Sequence, residues 1–254
     1  PEDLFRSFGH LMSDEVHRLG APTWQKAIVM FPAMYRTGLT ATITRRDGME
    51  GVYLNHIGPI SATLERPESR VPLVFQVPLD TNLEKRSYIL PWNNEINFSK
   101  LITSLTRKDN RTRAISRQII RAASSGRKIL VLTERLAHTD KLREYIEEES
   151  VGFDVSFYLG GMKDKDLRES ETADIIIGTY KMAQEGLDIP DLDTLFLATP
   201  KTSIEQACGR ITRDRPDKKD PLIVDFVDQS IGVCRGMARN RRMKYLDLGY
   251  ELGN

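Results

Sequence analysis

Two carboxylates and an imidazole stand close together in the stretch SDEVH, residues 13–17. Asp14 and Glu15 end a short apolar segment, FGHLMSDE, which predicts a strand that runs into its own carboxylates. One carboxylate at a strand end can hold Mg²⁺, usually through water, while its neighbour accepts a proton from a water molecule that attacks phosphate. A capped turn between a strand and a helix is the alternative. A zinc site is excluded, because His17 has no cysteine nearby and supplies too few ligands.

A second stretch whose residues could take part in catalysis is TSIEQACGRITRD (202–214). Its spacing predicts an amphipathic helix. At about 100° per residue, its apolar residues fall on one side: Ile204, Ala207, Cys208 and Ile211. Gln206, Arg210 and Arg213 fall on the other side. Arginine can stabilise the charge on a transferring γ-phosphate, and glutamine can orient the attacking water. An ordinary surface helix also has one polar face, so both interpretations stay open for this helix alone.

Two further stretches have the composition of phosphate contacts. In YLGGMK (158–163), Gly160 and Gly161 have no side chains that would keep a phosphate away from backbone N–H groups. A plain turn has the same sequence. The segment CRGMARNRRMKY (234–245) is basic and helical in pattern, which favours a solvated or domain-packing helix over the alternative of a nucleic-acid contact.

Composition sets limits on the class of protein. With 254 residues, 40% of them hydrophobic and 29% charged, the chain is typical of a soluble globular protein of one large or two small domains. The formal net charge of +1 means that any affinity for nucleic acid must come from local patches. Cys208 and Cys234 are too few for a disulfide framework and indicate a reducing compartment, so we expect a cytoplasmic location. No apolar run approaches the ~20 residues of a membrane span, and no signal peptide is visible.

Strands and helices alternate from residue 128 onward. Five unalternated apolar runs predict strands buried on both faces: KILVLTE (128–134), DVSFYL (154–159), DIIIGTY (174–180), TLFLATP (194–200) and PLIVDFV (221–227). Helical patterns lie between them, and TRAISRQIIRAASSG precedes them with Gly126 placed to end its helix. This alternation predicts an open α/β parallel sheet with helices on both faces, whose ligands bind outside the carboxyl ends of the strands.

The earlier part of the chain has the same order in shorter form. After the strand that ends in Asp14 and Glu15, YRTGLTATI (35–43) predicts a second strand that ends in small hydroxyl residues. LERPESRVP (64–72), with two prolines and mixed charge, favours a connection between domains. We therefore divide the chain into a partial α/β unit at 1–66, a linker and entry segment at 67–97, and a complete α/β domain at 98–254.

Four motifs occur in the following order along the chain: DEVH (14–17), LTAT (39–42) followed by RRDG (45–48), GTYKMAQEGLDIP (178–190) and QACGRITR (206–213). In this order the chain resembles superfamily 2 helicases and translocases of the DExH type, which include XPB-like enzymes and phage recombination and repair translocases. The resemblance covers about residues 10 to 228. It implies a RecA-like second domain preceded by the back part of a first RecA-like domain.

The resemblance implies roles at a nucleotide site, with ATP and Mg²⁺ as the ligands. Asp14 would coordinate Mg²⁺, Glu15 would be the general base, and His17 would couple the nucleotide site to the second domain. Gly186 and Asp188 match the ATP side of the third motif. The residues that would reach the γ-phosphate are Gln206, Arg210 and Arg213.

The resemblance also implies roles in movement on nucleic acid. Thr40 and Thr42 match the motif that links hydrolysis to movement between domains. Thr179 matches the nucleic-acid side of the third motif, and Gly160 and Gly161 lie in a loop similar to one that touches the nucleic-acid backbone. DNA is the expected substrate in preference to RNA, and the expected state is a monomer or a part of a larger repair or replication assembly.

Two features depart from the family pattern. Ile43 stands where a proline is usual, which affects loop stiffness. A nucleotide motor also needs a glycine-rich loop ending in Gly-Lys-Ser/Thr, but none of the 17 glycines is followed by lysine. Because the chain also begins at Pro1 without a methionine, we expect a fragment that is inactive alone but belongs to an ATP-dependent helicase. The alternative is a non-catalytic module that binds nucleic acid or a partner and retains helicase motifs.

Overall fold

A computed structural model describes residues 2–40, 48–63, 70–90, 93–150, 152–185, 187–213, 215 and 217–253. The chain divides into two compact units, Pro1–Pro67 and Glu68–Asn254. The boundary predicted at 66/67, and most of the predicted connection LERPESRVP, fall in residues 64–69, which lie outside the described residues.

The first unit is a small α/β unit with one pair of parallel strands. Its elements are α1 (Glu2–Arg6), β1 (His10–Ser13), a 3₁₀ turn (Val16–Gly20), α2 (Pro22–Val29), β2 (Tyr35–Gly38) and α3 (Glu50–Ile57). Strands β1 and β2 pair in register from His10 with Tyr35 to Ser13 with Gly38. A small buried core contains Val16, Leu19, Ile28 and Tyr53. Both strands predicted for this part of the chain are confirmed, and both end at the same edge of the pair.

The second unit contains a parallel sheet, which confirms the predicted fold class. Its elements are β3 (Leu73–Leu79), a 3₁₀ turn (Lys85–Ser87), α4 (Phe98–Thr106), α5 (Asp109–Ser124), β4 (Ile129–Thr133), α6 (Leu136–Glu149), β5 (Val155–Tyr158), α7 (Asp164–Ser170), β6 (Ile175–Thr179), α8 (Tyr180–Glu185), β7 (Thr194–Leu197), α9 (Glu205–Gly209), β8 (Leu222–Asp228), α10 (Gly232–Asp247) and β9 (Glu251–Leu252). Within the described residues, seven strands pair in the order β5–β6–β4–β7–β8–β3–β9. All five strands predicted from residue 128 onward are present.

The core of this unit lies on both faces of the sheet. Because side chains alternate along a strand, Ile129 and Val131 of β4 point to one face and Leu130 and Leu132 point to the other. The first pair packs in a cluster with α5 and α6, and the second pair packs in a cluster with α8, α9 and α10. Burial on both faces is the reason that the strand sequences are apolar without alternation.

Strand β3 is an element that the sequence pattern did not predict. It lies in the segment assigned as linker and entry, and it pairs with β8 from Leu73–Leu222 to Leu79–Asp228. Gln76 and Pro78 interrupt its apolar run, so the sequence pattern does not indicate a strand there. The proline is tolerated because β9 pairs only with Leu73 and Val74, which leaves Pro78 without a strand on that side among the described residues.

Candidate nucleotide and nucleic-acid sites

The turn after β1 brings the predicted carboxylates to the carboxyl edge of the strand pair. Glu15 has left-handed backbone dihedrals, φ 50° and ψ 45°, which is uncommon for a residue with a side chain. Its backbone N–H donates to Asp14 Oδ1 at 2.8 Å. The sharp turn lets the Val16 N–H donate to the Leu39 carbonyl just past β2, at 2.9 Å. The turn is therefore fastened to the end of the neighbouring strand.

His17 connects two of the predicted motifs. Its Nδ1 lies 2.8 Å from Thr40 Oγ1 and 3.2 Å from Glu15 Oε2. The imidazole is mostly buried, whereas the Glu15 side chain is 39% exposed and can reach solvent. The DEVH motif and the first threonine of LTAT thus meet at one imidazole nitrogen. Thr42 lies outside the described residues.

Gly38 at the end of β2 is required by close packing. A Cβ atom at this position would lie 2.9 Å from Cγ2 of Val16. Val16 is itself buried in the small core. A larger residue at position 38 would therefore push the Asp14–His17 turn away from β2.

The donor set at this turn fits Mg²⁺ better than a transition metal. Asp14 is exposed, and one of its carboxylate oxygens accepts the Glu15 N–H. In the part of the chain that the structure describes, no group of three or more His, Cys, Asp or Glu side chains could hold a metal ion. Mg²⁺ is commonly held by one or two carboxylates with water and substrate phosphates as the other ligands. A lone carboxylate at a strand end suits that mode.

In the second unit, helix α9 is shorter than its sequence predicted. It ends at Gly209, and the next turn tightens, because the Arg210 N–H donates to the Ala207 carbonyl and the Ile211 N–H to the Cys208 carbonyl. Four predicted apolar positions are buried: Ile204, Ala207, Cys208 and Ile211. The prediction that Arg210 and Arg213 continue the helix is wrong, since glycine disfavours helix and both arginines follow its end.

The three predicted polar residues consequently do not share one solvent-facing stripe. Gln206 is exposed on α9, but Arg210 is half-buried and its Nε donates to the Ala183 carbonyl at 2.8 Å. Arg213 is partly exposed, and its Nη1 forms an ion pair with Asp188 Oδ1. The structure therefore joins the third motif to the fourth through Asp188 and Arg213. Gly186 lies outside the described residues.

The predicted nucleic-acid residues lie at the carboxyl edge of two neighbouring strands. Thr179 ends β6, and Gly160 and Gly161 form the exposed turn after β5. Strands β5 and β6 pair directly, with Tyr158 opposite Gly178. Gly161 has φ 86°, which favours glycine there. Two backbone segments, the Gly160–Gly161 turn and the end of β6 at Thr179, thus lie at one edge of the sheet.

Sequence reasoning missed the groups that hold these side chains in place. The carbonyls of Ala183 and Leu39 fix Arg210 and the Asp14–His17 turn, respectively. Every residue has a backbone carbonyl, so residue type and spacing contain no signal for these two contacts.

Comparison with known proteins agrees with the order of the motifs. Residues 2–45 match the family described as type III restriction enzyme, res subunit, and residues 110–215 match the helicase conserved C-terminal domain. The chain is 34% identical over 255 residues to a protein of Acanthamoeba polyphaga mimivirus whose name describes an ATP-dependent RNA helicase. It is 24% identical over 270 residues to the ATP-dependent DNA helicase uvsW of Enterobacteria phage T4. The chain belongs to the superfamily 2 helicases.

The helicase alignments cover 99% of this chain but 49% of the mimivirus protein and 52% of the phage protein, so the chain spans about half the length of these relatives. The crystal structure of T4 UvsW superimposes with a TM-score of 0.56 at 19% identity, over 100% of this chain and 55% of that one. S. cerevisiae Dbp5 bound to RNA and ADP BeF3 gives 0.57 at 14% identity, over 98% and 60%. These neighbours show that the chain has a RecA-like fold. Among the described residues, no helix has the length and apolar composition needed to cross a membrane.

Proposed function

We propose that the complete protein couples ATP hydrolysis to movement along nucleic acid, and that this chain supplies the Asp14–His17 turn and a second RecA-like unit. The observation that carries this proposal is the position of His17 Nδ1, within hydrogen-bonding distance of both Thr40 Oγ1 and Glu15 Oε2. A change in charge at Glu15 during hydrolysis would alter the hydrogen bonding of His17. Thr40 begins the segment proposed to transmit that change.

In this proposal, the turn after β1 does the proton chemistry. Glu15 accepts a proton from the attacking water, and its exposed carboxylate is accessible for that purpose. Asp14 binds the Mg²⁺ that accompanies ATP, which neutralises part of the phosphate charge. The left-handed backbone at Glu15 costs free energy, and such strain is often found at functional positions.

The second unit supplies positive charge toward the γ-phosphate. Arg210 is anchored by the Ala183 carbonyl, so its guanidinium needs little reordering before it acts. Arg213 is paired with Asp188, and we propose that this pair holds the guanidinium extended until phosphate competes for it. Gln206 is exposed, and we propose that it orients water. Gly186 lies outside the described residues, and its role on the ATP side stays a prediction.

Nucleic acid is proposed to contact the edge formed by Thr179, Gly160 and Gly161. The support is their common location at the carboxyl ends of β5 and β6, where ligands of open α/β sheets bind. DNA remains the predicted substrate because the T4 relative is named a DNA helicase. The mimivirus relative is named an RNA helicase, so the experiment must offer both nucleic acids.

The test is steady-state ATP hydrolysis by the complete protein and by its Glu15→Gln variant, with single-stranded DNA, duplex DNA, RNA or no nucleic acid. Because the amide cannot accept a proton, turnover should fall by about 10²-fold or more, while ATP and nucleic acid still bind. Glu169→Gln is the matched control, since Glu169 lies exposed on α7 in a pair with Lys165. Wild-type turnover in Glu15→Gln would refute the proposal and favour the non-catalytic binding module.

A further inference from the structure

Helix α10 carries basic side chains on two sides with different surroundings. It contains four arginines, and Arg241 points inward, where Asp225 binds it through two hydrogen bonds of 2.9 and 2.7 Å. The other three are exposed: Arg235, Arg239 and Arg242. At 100° per residue, these three fall within an arc of about 60°, and we call them the α10 arginine face.

No acidic side chain among the described residues balances the charge of the α10 arginine face. Arg239 and Arg242 form no ion pair with any residue that the structure describes, and Arg235 donates to the backbone carbonyl of Gln229. Lys244 of the same helix lies elsewhere on the circumference and is paired with Glu205. The one acidic residue of α10, Asp247, is in its last turn.

This arrangement costs stability in the isolated protein. Arg235 to Arg239 is an i,i+4 step and Arg239 to Arg242 is an i,i+3 step, so like charges face each other along the helix. Arg235 also lies near the positive end of the helix dipole, with no acid in the first turn and no side-chain cap from Ile231. An anion bound along this face would relieve the two like-charge repulsions and the repulsion between Arg235 and the helix dipole.

The location of the face extends the proposed nucleic-acid edge. Three residues separate the end of β8 from the start of α10, so Arg235 lies near the same carboxyl edge as Thr179. Strand β8 is three positions from β6 in the sheet, or about 14 Å at roughly 4.8 Å per strand. The helix then runs back from the edge, and Arg242 lies about 10 Å further along its axis than Arg235.

Two glycines next to these arginines leave room for a polymer backbone. Gly232 and Gly236 are exposed, and a Cβ at Gly236 would meet no atom within 4 Å. A glycine inside a helix costs about 1 kcal/mol relative to alanine, so Gly236 is not explained by helix stability. Small residues beside arginines allow close approach of phosphates.

We propose that the α10 arginine face binds the phosphate backbone of a nucleic-acid strand that continues past the carboxyl edge of the sheet. The inference rests on the proposed function only in taking nucleic acid as the anion. A strand that contacts Gly160, Gly161 and Thr179 would follow the edge toward β8 and then pass onto α10. These contacts read charge, so they do not distinguish base sequences.

The test replaces all three arginines by glutamine and measures binding of fluorescent single-stranded and duplex oligonucleotides to the 254-residue chain without ATP. Each lost phosphate contact lowers the slope of log K against log salt by about 0.7 for a single strand or 0.9 for a duplex. The slope should therefore fall by about 2 for single strands, with binding on the order of 10²-fold weaker at 0.1 M salt. Circular dichroism of the variant checks that it is folded.

The matched control is the triple variant Arg113→Gln, Arg117→Gln and Arg121→Gln on α5, which removes the same charge from the other face of the sheet. It should change affinity far less. An unchanged salt slope in the α10 variant, or an equal loss in both variants, would overturn the proposal. Loss of polyglutamate binding with oligonucleotide binding intact would assign the face to an acidic protein and also overturn it. The assay needs no hydrolysis, so its outcome is independent of whether the Glu15 proposal holds.

Discussion

Helices α5 and α10 are both 16 residues long and contain four arginines each, yet they lie on opposite faces of the sheet and in different electrostatic surroundings. Each sends one arginine inward to a buried carboxylate of β8. Arg111 of α5 binds Asp228 at 2.7 and 3.0 Å, and Arg241 of α10 binds Asp225. The two carboxylates are three residues apart on the strand and therefore point to opposite faces.

The exposed arginines of the two helices differ. On α5, Arg113 pairs with Glu148 and Glu149, and Arg117 pairs with Glu149. Both glutamates belong to the end of α6, so these charges help to hold two helices together. In the described part of the chain, no acidic side chain pairs with the α10 arginine face. Arg113 and Arg117 therefore contribute to the contact between α5 and α6, whereas Arg121 of α5 and the α10 arginine face form no ion pair among the described residues.

The largest effect expected from this comparison concerns the inward arginines. Arg241→Leu should lower the free energy of unfolding by about 3–5 kcal/mol, because it leaves the Asp225 carboxylate buried without its counter-ion. Arg111→Leu should act similarly through Asp228. Denaturant titration of the 254-residue chain measures both, and Arg239→Leu on the exposed side of α10 is the control, with a change within about 0.5 kcal/mol.

A double variant separates a lost pair from a lost packing contact. Arg241→Leu combined with Asp225→Leu removes both charges and should be more stable than Arg241→Leu alone. If the double variant is the less stable of the two, the buried charge is not the source of the loss.

A smaller effect is expected from a buried histidine on the α5 side of the sheet. His138 of α6 is bonded through Nδ1 to Thr133 of β4 at 2.8 Å and through Nε2 to Thr112 of α5 at 3.3 Å. Burial lowers the pKa of His138 well below its ordinary value, and the charges of Arg111 and Lys141 lower it further. The folded protein therefore keeps this imidazole neutral.

The sign of the pH dependence follows from that lowered pKa. Below the ordinary histidine pKa of about 6.5, the unfolded chain binds a proton that the folded protein does not, so stability falls as pH drops from 7 toward 5. His138→Asn should be less stable at pH 7 by about 1–3 kcal/mol, through lost hydrogen bonds, but should lose less on acidification than the wild type. Melting curves at several pH values measure this, and parallel pH profiles would contradict it.

Much of the sheet can be predicted from the sequence, because burial of a strand on both faces requires a run of apolar residues within that strand. β4 and β6 are apolar on both faces, and that requirement is visible in runs such as ILVLT. β3 was not predicted because Gln76 and Pro78 interrupt its apolar run. Gln76 is accommodated because its side-chain amide donates to Asp225 and to the Ala238 carbonyl, and Pro78 because β9 pairs only with Leu73 and Val74. The place of β3 in the sheet depends on a pairing with β8 about 150 residues away.

The candidate site was predictable to the extent that residue type determines chemistry. Asp14, Glu15 and His17 lie within four consecutive residues. The hydrogen bond between His17 and Thr40, however, depends on the parallel pairing of β1 with β2. The end of α9 was not predicted, because helical periodicity in the side chains continues through Arg213 while the backbone tightens after Gly209. The balance of charge on α5 and α10 is equally non-local, since Glu148 and Glu149 belong to another helix.

The smallest expected effect is a change in the free energy of unfolding that has opposite signs for an exposed arginine of α5 and for one of the α10 arginine face. Arg117→Gln on α5 should slightly lower the free energy of unfolding, because it breaks a partly exposed pair with Glu149, and 1 M salt should remove most of that loss. Arg239→Gln on α10 should instead raise the free energy of unfolding by a few tenths of a kcal/mol, since it relieves like-charge repulsion from Arg235 and Arg242. Replicate denaturant titrations of both variants at low and high salt can resolve opposite signs. If Arg239→Gln loses as much stability as Arg117→Gln, then Arg239 stabilises the fold as Arg117 does. The distinction between the two helices would then be wrong.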